Sequence, residues 1–433
     1  MQMGDFQVLK RVLWFMVLLA AITNNTNASD KIPLQPLIDK AKAGDIIALE
    51  PGVYKGPITI EIPIILDGQD HATIDSGGKG SVIYLETDGA TIKNLRLTNS
   101  GELHNDLDSG VQVRGNFNVI KDNKIDDCLF GVDLQQSENN IVRRNHISSK
   151  PLHLGLRGDA IRLWYSFNNT IAGNTITDSR DMVVWYSKDN IIKDNVTSNG
   201  RYGLHFMYSQ YNQVTNNKYT NNSVGIFLMY SDGVVLKDNY IAHSVGGTGL
   251  GIGFKETSDI VVENNQILFS SIGFYIDVSP YQPDTINRFE NNLVAFNGIG
   301  IRFLADWHGS IFKHNQFKSN ISQIIVSGGK SANRNTWENN FWDDYEGFDL
   351  DKDGFGDTPY EYYAYADRIW QDVPNAQFFK GSPILETIDF LERLAPFSPP
   401  DLILRDSKPV LDAEAALKKI DPASSSPVNK YFQ

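Results

Sequence analysis

Three groups of residues carry chemistry by type and spacing. His205, Met207 and Met229 combine one imidazole with two thioethers. Thioether and imidazole together suit Cu(I), a soft ion. Residues two apart on a strand share a face, so His205 and Met207 point the same way in an extended segment. Met229 lies 22 residues beyond Met207 and joins them only in a chain that repeats at that period. The alternative for the same side chains is a docking face, with Met as adaptable packing.

The second group is acidic. Asp349, Asp351, Asp353 and Asp357 alternate through a turn that contains Gly354. Closely spaced carboxylates with glycine at the bend are the pattern of a structural Ca²⁺ loop. The glutamate and flanking helices of an EF-hand are missing, and an acidic turn with solvated carboxylates is the other reading. The third group pairs acids with arginine: Asp159 with Arg162, Arg180 with Asp181, and Arg302 with Asp306. Polysaccharide lyases and hydrolases need carboxylates, or a base beside acids, in a groove. None of these pairs forms a tight motif. The remaining histidines (His71, His104, His146, His153, His243, His308 and His314) are scattered, although His153 falls in an insertion, residues 148–158, and could reach a ligand.

Composition narrows the classes further. A net charge of −13 over 433 residues argues against non-specific nucleic-acid binding and against docking on anionic lipid through charge. The single cysteine, Cys128, rules out an intramolecular disulfide, a Cys-rich zinc site and CxxC redox chemistry. Beside Leu129 and Phe130 it reads as a small core residue. The N-terminus has the layout of a secretory signal: Lys10 and Arg11, an apolar run over 12–22, then a polar stretch. Cleavage is expected near Ala28. Thr26 suits that cut poorly, which leaves an uncleaved anchor as the alternative, but the run is too short to span a bilayer comfortably.

The elements that must position these residues follow from a repeat. A phrase of β-branched residues, Asn, one variable residue and an apolar one recurs along the chain. Its asparagines are Asn123, Asn145, Asn174, Asn195, Asn217, Asn239, Asn265, Asn292 and Asn315, in steps of 22, 29, 21, 22, 22, 26, 27 and 23 residues. Short strands rich in Ile, Val and Tyr between Asn, Asp, Gly and Ser turns fit no helical array. Each repeat buries its apolar face only by stacking on the next. The fold class expected is all-β: a right-handed parallel β-helix of about 22-residue coils, with the hand set by the rule for parallel crossovers. The recurrent Asn can supply the left-handed turn at each corner, and stacked amides can bond from coil to coil.

Four coils align without gaps on a Tyr-Ser corner at Tyr165, Tyr186, Tyr208 and Tyr230. Alternation predicts two inward ladders: Ile161, Met182, Leu204, Ile226, and Leu163, Val184, Phe206, Leu228. The outward ladders are then Arg162, Val183, His205, Phe227, and Trp164, Trp185, Met207, Met229. This is a contiguous apolar stripe with His and Met embedded, of the kind that marks a binding face. Trp164, Trp185 and Phe227 are its partner-binding candidates.

The organisation expected is a signal peptide over 1–28, a capped β-helix over 29–345, an acidic loop with an aromatic irregular segment over 346–382, and an amphipathic helix with a flexible tail over 383–433. Residues 32–43 read as a helical cap, and 51–54 as a turn. The late helix presents Ile384, Leu385, Ile388 and Leu391 on one face, with Leu394 a possible fifth member. It would meet a partner or pack on the rod end.

The runs Arg157-Gly158-Asp159-Ala160-Ile161-Arg162-Leu163-Trp164, Ser179-Arg180-Asp181-Met182-Val183-Val184-Trp185-Tyr186-Ser187 and Gly200-Arg201-Tyr202-Gly203-Leu204-His205-Phe206-Met207-Tyr208-Ser209 resemble the NosD family. The resemblance runs from the signal segment to the tail. Its central phrases are specific, whereas the Asn repeat and the acidic loop recur in many β-helix proteins. It implies a periplasmic, non-enzymatic accessory protein for nitrous oxide reductase. Such a protein works with an ABC-type permease and its ATPase at the inner membrane, and receives copper from a small lipoprotein chaperone. It then helps to build the reductase's multi-copper sulfide centre. The resemblance supplies no ligand set; His205, Met207 and Met229 rest on ladder geometry. The rival functions are a polysaccharide lyase or hydrolase and a non-catalytic carbohydrate binder.

Overall fold

The computed structural model describes residues 31–305, 307–328, 331–364, 382–394 and 401–413. The expected signal segment lies outside them. The chain winds as a parallel β-solenoid. One sheet stacks twelve strands, one per coil, a second sheet holds 25, with two short strands in most coils, and two further strands pair separately. In the coil after Tyr202–Met207, for example, Gln213–Thr215 and Lys218–Thr220 supply those two strands. Among the described residues no helix is long and apolar enough to cross a membrane.

Period-two alternation decides what fills the rod. Leu163, Val184, Phe206 and Leu228 stack in register; in the other inward ladder Ile161 pairs with Met182 and Leu204 with Ile226, with the register shifting by one residue between Asp181 and Val183. All eight are fully buried. Cys128 is buried with them, and desolvation pushes its thiol up to about 12, so it packs as an apolar group.

The asparagines form the ladder that the repeat predicts. Asn174 donates from its backbone N–H (2.9 Å) and side-chain amide (3.0 Å) to Asn195 Oδ1, and Asn195 does the same to Asn217. They do not take the left-handed turn, which corrects the other expected use. The residue before each one takes it: Asp122, Arg144, Asp194, Asn216 and Asp238 have φ between 52° and 57°. The ladder amide must face into the wall, so the exposed neighbour absorbs the bend. A second ladder at another corner, Asn118, Asn140, Asn169, Asn190 and Asn212, follows the same logic.

Both ends differ from expectation. The predicted N-terminal helix shrinks to Gln35–Ile38, because Ile32–Pro33 instead pairs with a strand at Gly52–Lys55, where a turn was expected. Pairing satisfies the edge of the first coil. Gln35 completes the closure: its Nε2 donates to Thr59 O (3.1 Å) and its Oε1 accepts from Thr59 N–H (2.8 Å).

At the other end the segment expected to be irregular forms a strand, Tyr360–Ala364, antiparallel to Asp401–Asp406 in the expected flexible tail. Ile403 and Leu404 are buried there. Trp342 stacks on Phe317 (4.4 Å) and on Tyr360 (4.6 Å), so the core continues into this return strand. Burial of that apolar surface is what holds a Pro-rich tail in place. The helix Pro383–Leu394 is present, with Ile384, Leu391 and Leu394 exposed. The side chains of Leu385 and Ile388 lie outside the described residues.

Candidate functional site

The site is built on the four aligned coils, on strands Ile161–Trp164, Asp181–Trp185, Tyr202–Met207 and Val224–Met229. Each is followed by a tyrosine with left-handed φ, 47–51°, an unusual state for a bulky residue. Two stacks hold it there. The rings of Tyr165, Tyr186, Tyr208 and Tyr230 lie 4.9, 5.3 and 4.8 Å apart, nearly parallel. Behind them, Ser166, Ser187 and Ser209 each donate a backbone N–H to the serine hydroxyl of the next coil, at 3.0–3.1 Å.

The outward ladders run in register as expected, Arg162 to Val183 to His205 to Phe227, and Trp164 to Trp185 to Met207 to Met229. Outward does not mean exposed, however. Val183 is completely covered and His205 is 6% exposed, while Trp164, Trp185, Met207, Phe227 and Met229 are partly buried. The expected open stripe is a second packed layer, because its large side chains shield one another. One glycine permits this. A Cβ at Gly253, the next rung, would sit 2.4 Å from the Phe227 ring, so its absence lets that ring lie across the rung.

His205 is the centre of the layer. Tyr202 stacks on it (4.6 Å), and Trp185 and Phe227 meet it edge-on at 6.1 and 6.4 Å. Its Nε2 lies 3.3 Å from Met229 Sδ, while its Nδ1 is buried without a hydrogen-bond partner. Burial lowers its pKa to about 4; Asp181 opposes that shift and Arg201 adds to it. The imidazole is therefore neutral at pH 7, and one nitrogen has a free lone pair. Met207 stands beside Met229 as its register partner. The structure thus joins His205 to Met229 directly and places Met207 alongside. This donor set, neutral nitrogen and thioether within an aromatic shell, fits a soft monovalent ion.

Below this layer lies a charged one. Asp133 is fully buried between Arg114 and Arg162, at 2.8 Å from each. Arg162 therefore pairs with Asp133 and not with Asp159, and its guanidinium sits 4.7 Å over Trp164. Asp159 takes Arg180 (2.9 Å), which also reaches Asp181 (3.7 Å), and Arg201 closes on Asp181. Desolvation outweighs Arg180 at Asp159 and raises that carboxyl to about 6. Arg302 continues the outward ladder beyond Tyr275, and Asp306 lies outside the described residues. Register carried one rung back from Arg162 would have found Asp133 in the sequence. Arg114 and Arg201 carried no such signal.

In the acidic loop, ligand atoms of Asp349, Asp351 and Asp353 lie within 4.8 Å of one another. Asp357 does not join them, because its carboxylate accepts the Leu350 N–H at 2.6 Å and braces the loop. His153 is exposed at the surface of its insertion.

The family described as "Periplasmic copper-binding protein (NosD)" matches residues 143–347, and "Right handed beta helix region" matches 64–156. A "Probable ABC transporter binding protein NosD" of Pseudomonas aeruginosa is 28% identical over 429 residues, spanning 93% of this chain and 95% of its own length. A protein of the same name from Stutzerimonas stutzeri is 28% identical over 111 residues, 25% of this chain and 26% of its own length. Among solved structures, the A-module of a mannuronan C-5 epimerase from Azotobacter vinelandii is similar with a TM-score of 0.52 and 14% identity, over 68% of this chain and 90% of that one. A mannuronic-acid-specific family 6 lyase from human gut microbiota gives 0.53 and 15%, over 72% and 86%. At such identities the likeness is one of fold, the parallel solenoid, alone. The family match covers all four coils around His205 and the first relative aligns almost end to end; on these grounds the chain is similar to the NosD family, in the coils that carry the site and along nearly its whole length.

Proposed function

We propose that this chain is a non-catalytic periplasmic accessory protein that holds Cu(I) in transit at His205, Met229 and Met207, in support of nitrous oxide reductase maturation. The observation that carries this reading is the 3.3 Å contact of a neutral, buried imidazole with a thioether inside an aromatic shell. Three soft or borderline donors on a rigid sheet bind a cuprous ion without the rearrangement that would slow its release. An ABC permease and its ATPase are the membrane partners, and a lipoprotein chaperone is the copper donor. The sequence has no phosphate-loop motif, so the energy comes from the ATPase. Trp164, Trp185 and Phe227 present the rim that meets the donor or the reductase. The face of Ile384, Leu385, Ile388 and Leu391 is the contact for the permease. Asp349, Asp351 and Asp353 hold a structural Ca²⁺.

The enzymatic alternative is disfavoured by the acids themselves. Asp133, Asp159 and Asp181 are each at most 3% exposed and committed to guanidinium partners, so none faces a groove as a general base.

The test is an anaerobic Cu(I) titration against a competing chelator, on the wild type and on a His205→Ala/Met207→Ala/Met229→Ala variant. Binding present in the wild type and lost in the variant is expected. Equal binding in both overturns the assignment. Release of unsaturated uronates from alginate by the wild type would restore the lyase reading.

A further inference from the structure

Bonded to the backbone of Tyr202, whose ring stacks on His205, stands a hard donor that the fold has taken out of use, the Asp181 carboxylate. Asp181 is 3% exposed. Its Oδ1 accepts the Tyr202 N–H (3.1 Å) and Arg201 Nε–H (3.0 Å), and its Oδ2 faces Arg201 Nη2 and, at 3.7 Å, Arg180 Nε. The charges of both Asp181 and Arg201 are felt at the His205 imidazole. Arg201 is also held in place, because its guanidinium lies 4.9 Å over the Tyr202 ring that stacks on His205.

We propose that Arg201, backed by Arg180, sets the metal specificity of the His205 site: by occupying the Asp181 carboxylate it withholds a hard oxygen from the bound ion and so excludes divalent cations in favour of Cu(I). The inference rests on the copper reading above. Two physical effects act in the same direction. Carboxylate oxygen favours hard and borderline dications, while thioether selects the cuprous ion. The pairs Arg180 with Asp159 and Arg201 with Asp181 also cancel in charge, so the cluster presents no net negative field. In a low-dielectric shell a dication has more hydration to lose than a monocation and gains nothing there in return.

The pairing is also costly as mere packing. A buried ion pair is often matched or bettered by apolar residues of similar volume, and the inward rungs of these coils already show that this sheet accepts Met, Val and Leu. The charged pair is accounted for once it is assigned the exclusion of competing ions.

The experiment measures Cu(I) and Zn²⁺ affinities in parallel, each against a chromophoric chelator, on the purified protein without oxygen. The variants are Arg201→Gln, Arg201→Gln/Asp181→Asn, Arg201→Lys and His205→Ala. Freeing Asp181 in Arg201→Gln is expected to tighten Zn²⁺ binding about tenfold or more, with Cu(I) affinity changed by less than about threefold. Adding Asp181→Asn removes the gain. Arg201→Lys, a point charge in place of a fork, gives a smaller gain and reads the same effect should the Gln variant fail to fold. An unchanged Zn²⁺ affinity in folded Arg201 variants overturns the inference, as does a gain that survives Asp181→Asn. Loss of Cu(I) binding in His205→Ala is the separate check on the site; its persistence would remove the copper reading and the inference with it.

Discussion

The Asp406 carboxylate accepts two bonds from Asn340, 3.0 Å from its backbone N–H and 2.9 Å from its side-chain amide. Asn315 makes the same two bonds to Asn340 Oδ1, at 3.0 Å each. Asp406 thus stands where the next coil's asparagine would be, and it also accepts from Trp342 Nε1 at 3.2 Å. The return strand ends the ladder by imitating its next rung.

Removing that imitation should loosen the C-terminal end. Asp406→Ala leaves the buried donors of Asn340 unsatisfied, and a loss of roughly 3 kcal/mol is expected. Burial raises the Asp406 pKa against the hydrogen bonds that lower it. Its ionised form is therefore disfavoured in the fold, and the stability it contributes is present at low pH and lost as the pH rises through its folded value. Asp406→Asn keeps an acceptor and has no charge to bury, so it should gain on the wild type as the pH is raised. Urea denaturation at acid and neutral pH reads both effects, and equal behaviour of the Ala variant and the wild type would remove Asp406 from the closure.

Ladder asparagines and their left-handed neighbours should respond in opposite ways. Asn195 accepts twice from Asn174 and donates to Ile171 O and Asn217 Oδ1, both at 3.0 Å. Asn195→Ala is expected to cost roughly 3 kcal/mol. Asn216 is exposed with φ 54°, a conformation glycine adopts freely, so Asn216→Gly should stay within about 0.5 kcal/mol. Equilibrium unfolding of the pair is the measurement, and similar losses in both would contradict the assignment of roles.

Two buried groups of the site should tilt the pH–stability curve in opposite directions. Asp159 is raised from 3.8 to about 6 by desolvation, so its contribution is full below about 3.8 and is lost as the pH rises to about 6. His205 is lowered from 6.5 to about 4 by burial, so its contribution is full above about 6.5 and is lost as the pH falls to about 4. Between these limits the two slopes oppose each other. Asp159→Asn is expected to make the protein more acid-sensitive over that window, and His205→Gln less so. Urea midpoints taken across the window check the signs, and parallel curves for the two variants would refute the prediction.

Calcium should act on stability through the acidic loop. Millimolar Ca²⁺ is expected to raise the melting temperature, and Mg²⁺ to do so less, since it demands a tighter octahedron. Asp351→Asn, which removes one carboxylate of the group of three, should abolish the Ca²⁺ increment. Asp357→Asn should weaken the loop even without Ca²⁺, because Asp357 braces Leu350. A melting temperature indifferent to Ca²⁺ would leave the carboxylates as a solvated turn.

Periodicity was enough to determine the rod. A recurring Asn and alternating apolar residues are local signals, and they specified the parallel coils, the eight inward side chains of the central coils and the register that puts His205, Met207 and Met229 on one face. The sequence also marked the acidic loop and the late helix. Depth was decided elsewhere. Whether an outward side chain is exposed depends on the neighbours above and below it, and only the stacked ring of Tyr202 and the edge-on rings of Trp185 and Phe227 turn His205 from a surface residue into a buried, neutral one. Charge pairing likewise crosses coils. Arg162 lies three residues from Asp159 in the chain, but the coil stacking gives it to Asp133, 29 residues away. The tail shows the same limit. Its Pro-rich composition suggests a free arm, yet Tyr360 faces Asp406 in an antiparallel pair, because the open end of the solenoid offers unpaired strand edges and apolar surface that a returning segment can cover.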